Sequence, residues 1–178
     1  RRACARAAPL NPSMFVLHVP PGPPGAPGRW REGVLRDLAA LAAAAGGPGR
    51  IALETLPGPL DGLENLTDAL GLPVCLDVGH LLLSGHRVGE CAARFGPRLA
   101  AIHLHAAVRG RDHLPLDRLP EPAAADVLRL LTSFRGAVSL EVFSKISQGR
   151  LQRSHRSRRE TAEGVPRRQP FGVHLKQR

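Results

Sequence analysis

Five short apolar segments in this chain each end on a residue that can bind a metal ion, and helix-favouring stretches separate them. They read MFVLH, closing on His18; IALE, on Glu54; VCLD, on Asp77, with His80 three residues on; AAIHLH, on His103 and His105; and AVSLE, on Glu141. Asp112 and His113 follow the fourth segment. Short apolar runs alternating with helices indicate βα units and a parallel sheet. A polar group at the end of a buried strand is costly unless it meets a partner. Its recurrence at matching positions therefore points to strand ends that converge. In a (β/α)8 barrel, functional residues lie at the C-terminal ends of the strands, and all of these candidates fall there.

The spacing supports one βα unit per interval. Glu54 to Asp77 and His80 to His103 are each 23 residues, while His18 to Glu54 is 36 and His103 to Glu141 is 38. Residues 1–13 form a basic, Ala-rich lead-in that reads as the end of a helix. Met14–Val19 is the first strand, and PPGPPGAPG (Pro20–Gly28) is a loop. The spacing of Val34, Leu38 and Leu41 predicts a helix over 30–45, stopped by Gly46–Gly49. Ile51–Glu54 is a strand, 62–70 a helix, and Gly71 its C-cap. Val74–Asp77 precedes a loop and a helix reaching about Phe95. Leu99–Leu104 leads into a polar loop, then a helix over 121–133 with Pro122 near its start. Val138–Phe143 is the last strand.

A full barrel takes about 250 residues, whereas this chain has 178 and shows five strands. The expected fold is α/β: a partial (β/α)8 TIM barrel made of the C-terminal five βα units. It spans residues 1–144 and is followed by a disordered basic tail over 145–178. An open five-stranded α/β sheet is the structural alternative.

The net charge of +10 invites a nucleic-acid reading, but its distribution argues against one. Lys145–Arg178 holds ten Lys or Arg against two Glu, so the preceding residues are nearly neutral. Cys4, Cys75 and Cys91 are odd in number and form no CxxC pair, which suits a reduced, cytoplasmic setting. Cys75, inside VCLD, reads as a buried structural thiol. No apolar run approaches the roughly 20 residues that span a membrane, and no signal peptide is evident. His86, His155 and His174 lack the strand-end context and read as surface residues.

Glu54, Asp77, His103 and Glu141 would project from successive strand ends toward one axis. Three carboxylates and an imidazole suit Mn²⁺, Mg²⁺, Zn²⁺ or Fe²⁺, and negative charges that close need a cation or a proton. His18, His80, Asp112 and His113 could hold further ions, giving one to three in all. His103 and His105 share a strand face, so one can be a ligand and the other can touch substrate or support the site from behind; His105 is assigned to substrate. Singly, each residue has a plainer role: Asp77 could merely cap a helix, and His113 could be exposed. It is their joint placement that favours metal chemistry.

These residues resemble the xylose isomerase-like TIM barrels, which include sugar isomerases, epimerases and endonuclease IV-type enzymes. The resemblance covers about residues 12–144. It implies that Glu54, Asp77, His103 and Glu141 sit on barrel strands five to eight, with His18 at strand four. CLDVGHLLLSG, IHLHAAVRGRDHLPLD and SLEVFS further resemble the cobamide-remodelling phosphodiesterases. Three features depart from that pattern: three N-terminal βα units are absent, Ala106 stands where the family usually has Gly, and the residues after Ser144 do not resemble a closing helix.

The resemblance implies a metal-dependent hydrolase that cleaves the nucleotide-loop phosphodiester of a corrinoid, with Glu54 and Glu141 as catalytic residues that hold or bridge metals. The alternative is a single-metal sugar or sugar-phosphate isomerase or epimerase, in which Glu54 and Glu141 move protons. An endonuclease-type enzyme ranks lower, because the body is nearly neutral and poor in aromatics. An inactive barrel fragment is the remaining reading.

Overall fold

The apolar segments do become parallel strands, and their order settles the architecture. The computed structural model describes residues 2–22, 27–143 and 173–174. After helix α1 (Arg2–Ala7) come β1 (Phe15–Leu17), α2 (Pro27–Ala45), β2 (Ile51–Glu54), α3 (Asp61–Leu70) and β3 (Val74–Asp77). Then follow α4 (Val78–Leu83), α5 (Val88–Phe95), β4 (Leu99–Leu104), β5 (Ala106–Val108), β6 (Arg111–Leu114), α6 (Glu121–Ser133), β7 (Ala137–Leu140) and β8 (Val173–His174). The main sheet runs β7-β4-β3-β2-β1-β8. Every pairing from β1 to β7 in that sheet is parallel.

Among the parallel strands, each successive member joins the same edge, and the order never reverses. A doubly wound open sheet reverses at a switch point. With right-handed crossovers, unidirectional order places the connecting helices on one face and curls the sheet toward closure. This is the partial barrel expected, not the open-sheet alternative.

The period-2 alternation of strands gives the two faces different jobs. Phe15, Ile51, Leu53, Val74, Leu76, Ile102 and Leu104 enter the two cores shared with the helices. Leu76 is fully buried, and burying such a side chain contributes roughly 1.5–3 kcal/mol. On the other face, Val16, Ala52, Cys75 and Ala101 form a small cluster with Met14. Two residues further along each strand stand His18, Glu54, Asp77 and His103. The inner face is thus a floor of small side chains beneath a layer of polar ones.

Several elements differ from expectation. Helix α2 begins at Pro27 rather than 30, because proline's fixed φ suits a first helical turn. The stretch after Asp77 holds two helices, not one, and α4 follows β3 directly. Asp77 itself is the N-cap: its Oδ1 accepts from the His80 amide at 2.7 Å. The polar loop after β4 is a hairpin, β5 antiparallel to β6. Its turn, Arg109–Gly110, has φ of 52° and 74°, the left-handed pair that a two-residue hairpin turn requires. Gly71 does cap α3, in the left-handed region at φ 61°. The basic tail lies outside the described residues except for Val173–His174, which pair antiparallel with β1. No helix of the described residues is long and apolar enough to cross a membrane.

Candidate metal centre

The sheet register places the polar layer around one point. Asp77 on β3 pairs with His103 on β4, and Glu54 on β2 with Cys75 on β3. Glu141 lies just past β7, where its amide donates to the Leu104 carbonyl at 3.1 Å. From these positions three carboxylates converge on His103 Nδ1: Glu54 Oε2 at 3.0 Å, Glu141 Oε1 at 3.2 Å and Asp77 Oδ2 at 3.8 Å. The four donors expected to act together are brought together.

The contacts are close but misdirected. Glu54 Oε2 and His103 Nδ1 are both buried, and neither has a hydrogen-bond partner of acceptable geometry. Leaving such atoms unsatisfied costs about 1–3 kcal/mol each, more where one is charged. Lone pairs held at ion-pair distance without directed bonds are what a set of metal donors presents. The hard and borderline character of three carboxylates and one imidazole fits a divalent cation. Asp77–His103–Glu141 and Glu54–Cys75–His103 each offer three donor atoms within 4.8 Å of one another.

The surrounding histidines hold the carboxylates. His18 Nε2 lies 2.9 Å from Glu54 Oε2, and His80 Nδ1 lies 3.3 Å from Glu54 Oε1. Burial opposes the Glu54 carboxylate, but the nitrogens of His103, His18 and His80 outweigh it and hold the carboxyl far below the usual range. Contact with Glu54 raises His18. Burial works against charging His80, yet Glu54, Asp77 and the Thr55 carbonyl push it up to about 9. His105 is likewise raised, with Asp77 overcoming burial.

Carbonyl partners fix two tautomers, because a carbonyl only accepts. His80 Nδ1 donates to Thr55 O at 3.0 Å, and His113 Nδ1 donates to Glu141 O at 2.9 Å. In the neutral rings, both Nε2 atoms therefore keep a lone pair.

The other expected site residues fall in different places. His105 is fully buried, its Nε2 3.0 Å from Asp77 Oδ1. His113 joins the cluster in the group His105–His113–Glu141, and His80 joins it in the group Asp77–His80–His105. Asp112 does not converge: its side chain is 43% exposed and sits 3.9 Å from His113 Nε2. His18 joins the cluster through its contact with Glu54. Cys75, read from sequence as structural, offers its sulfur beside Glu54 and His103; its place two residues before Asp77 on the same face was the available signal. Thr55 gave no signal at all. Its hydroxyl accepts from the Asp77 amide at 2.8 Å, and its carbonyl orients His80.

Beside Glu54 opens a cavity of about 110 Å³, lined by Val19, Pro20, Trp30, Leu56 and Pro59 among others. Its walls are mostly apolar, and Glu54 is the only ionisable residue lining it among the described residues.

A family model described as "Xylose isomerase-like TIM barrel" matches residues 1–164. No curated protein matches in sequence. The chain is similar in fold to a xylose isomerase domain protein from Planctomyces limnophilus, with 18% identity and a TM-score of 0.59 over 88% of this chain and 62% of that one. The probable 3-DHS dehydratase AsbF from Bacillus anthracis gives 14% identity and a TM-score of 0.64, over 90% and 68%. The 3-keto-D-glucoside 4-epimerase YcjR from E. coli gives 15% and 0.55, over 80% and 62%. The chain spans about three-fifths of the length of the Planctomyces and E. coli proteins. At these identities the likeness is one of fold.

Proposed function

Because the chain belongs to the xylose isomerase-like TIM barrel family, we propose that Glu54, Asp77, His103 and Glu141 hold one divalent ion. We further propose that the protein isomerises or epimerises a sugar, a sugar phosphate or a similar hydroxy-carbonyl compound. One observation carries this reading: His103 Nδ1 is buried without a directed partner while carboxylates from three other segments surround it. Mn²⁺, Zn²⁺ and Fe²⁺ all suit such donors.

Bound there, the ion would polarise a carbonyl and its neighbouring hydroxyl, making the adjacent C–H more acidic. The chain's own residues would do the rest. Glu141, at 18% side-chain exposure, is the more accessible carboxylate and takes the proton from carbon. Glu54, flanked on one oxygen by His18 and on the other by His80, stays ionised on the ion, and the proton that Glu141 took is the one returned to carbon. The open Nε2 atoms of His80 and His113 bind substrate hydroxyls. The apolar cavity beside Glu54 shelters the carbon skeleton and keeps water from quenching the transfer. A cytoplasmic setting accords with Cys4, Cys75 and Cys91, all buried and outside any disulfide.

Full-length protein loaded with Mn²⁺, Zn²⁺ or Fe²⁺, incubated with sugars and sugar phosphates in deuterated water, should incorporate deuterium at carbon. No exchange with any of these would overturn the reading.

A second reading is hydrolysis of the nucleotide-loop phosphodiester of a corrinoid. It is favoured by the additional donor groupings through His105, His80 and His113, because two or three ions can bind a phosphate and generate hydroxide. Release of the nucleotide loop from a cobamide, with no C–H exchange on sugars, would select it.

A further inference from the structure

Three donor groupings reach beyond the quartet; Glu54–Cys75–His103 shares two of its donors with it, while Asp77–His80–His105 and His105–His113–Glu141 both pass through His105. Whether a second ion can bind on the hairpin side therefore depends on whether His105 has a free lone pair.

The hydrogen bonds answer this. The His113 backbone N–H donates to His105 Nδ1 at 2.9 Å. A backbone amide can only donate, so Nδ1 carries the lone pair and the ring proton sits on Nε2. Nδ1 also lies 3.3 Å from Ala106 O, but that longer contact needs a proton which the amide excludes. The Nε2 proton in turn points at Asp77, with Oδ1 at 3.0 Å and Oδ2 at 3.2 Å. Both nitrogens are committed, one as acceptor and one as donor. Neither is left to bind a metal.

We propose that His105 is a positioning residue: it occupies the space between Asp77 and the hairpin where a second cation would bridge them, and so limits the centre to one ion. This rests on reading the quartet as a metal site. His105 does for Asp77 what a cation would do, placing a positive dipole against its carboxylate. It also fixes Glu141. His113, held at its amide by His105, stacks on the same ring with centroids 4.2 Å apart and donates from its own ring to the Glu141 carbonyl. The ring thus links the end of β3 to the end of β7 through β6. Its seat is specific. A Cβ at Gly79 would lie 1.9 Å from His105 Cε1, so any other residue at 79 forces the imidazole or the backbone beneath it to shift. His113 meanwhile adopts φ 51°, a left-handed conformation uncommon outside glycine, held in place by these bonds.

The test counts ions. Metal-stripped full-length protein is titrated with Mn²⁺ by calorimetry, with the bound metal measured independently. One ion per chain is expected. His105→Gln keeps a donor toward Asp77 and should retain one ion with most of its affinity. His105→Ala should bind roughly 10–100-fold more weakly, the usual loss when a ligand's supporting partner is removed. His105→Asp supplies a carboxylate in the gap and should admit a second ion. Should the Ala variant fail to fold, the Gln and Asp variants decide alone. Two or three ions in the wild type, one of them lost in His105→Gln, would overturn the proposal while leaving the quartet intact. No ion in the wild type would overturn the quartet reading and this proposal with it.

Discussion

The centre has two halves that are held very differently. Glu54, Asp77 and His103 stand on β2, β3 and β4, strands paired on both sides in the sheet, and at most 2% of each is exposed. Glu141 and the hairpin residues stand at the β7 flank, where β7 is paired on one side only among the described residues. There Val138 and Leu140 are exposed, and single hydrogen bonds to Leu104, His113 and His105 fix the geometry. The inner donors get their positions from the sheet itself. The outer ones depend on one another. The inner half accordingly suits a fixed ion, and the outer half suits a group that must move a proton.

The sharpest break is at the inner half. Glu54→Gln or His103→Ala should weaken Mn²⁺ binding by at least about 100-fold, beyond what loss of a supporting partner costs. Calorimetry showing near-normal affinity would end the distinction. Glu141→Gln should instead lower turnover by about 10²–10⁴-fold, the range for a proton-transfer residue, with a smaller loss of metal affinity; equal losses in both would place Glu141 with the inner donors.

Stability should divide along the same line. Leu76→Ala, behind Asp77, should cost about 2–5 kcal/mol in denaturant unfolding. Leu140→Ala, on the exposed flank, should stay within about 0.5 kcal/mol. A large effect at Leu140 would mean that the flank is covered in the full-length protein.

The smallest effect concerns pH in chelator-treated protein. His80 is raised from an ordinary 6.5 to about 9, so its stabilising contribution is complete below about pH 6.5 and drains away as pH climbs through 9. Melting temperatures should fall across that window and flatten in His80→Asn. A wild-type curve that stays level would show that His80 is not held by Glu54 in solution.

Much of this was readable from the sequence, and the failures have physical causes. The quartet was visible because strand alternation and the C-terminal-end rule act on each segment locally. The hairpin was not, since Arg109–Gly110 lacks the Asn-Gly signal and a left-handed Arg has no sequence marker. Asp77 offered two readings, helix cap and site residue, and both hold geometrically: Oδ1 caps α4 while Oδ2 faces His103. His103 and His105 share a face, so spacing could not separate them. The difference lies in which nitrogen meets the amide of His113, a contact made across eight residues by a turn the sequence did not reveal.

The floor of Val16, Ala52, Cys75 and Ala101 has an evolutionary consequence. Positions 52, 54, 75, 77, 101 and 103 face inward, while 51, 53, 74, 76 and 102 carry the helix-packed core. The two sets interleave in sequence but lie on opposite sides of the sheet, so each packs against different neighbours. A lineage could therefore exchange donors, or enlarge the floor to lift them, without endangering its ability to fold. Such a chain can drift among chemistries while keeping one scaffold.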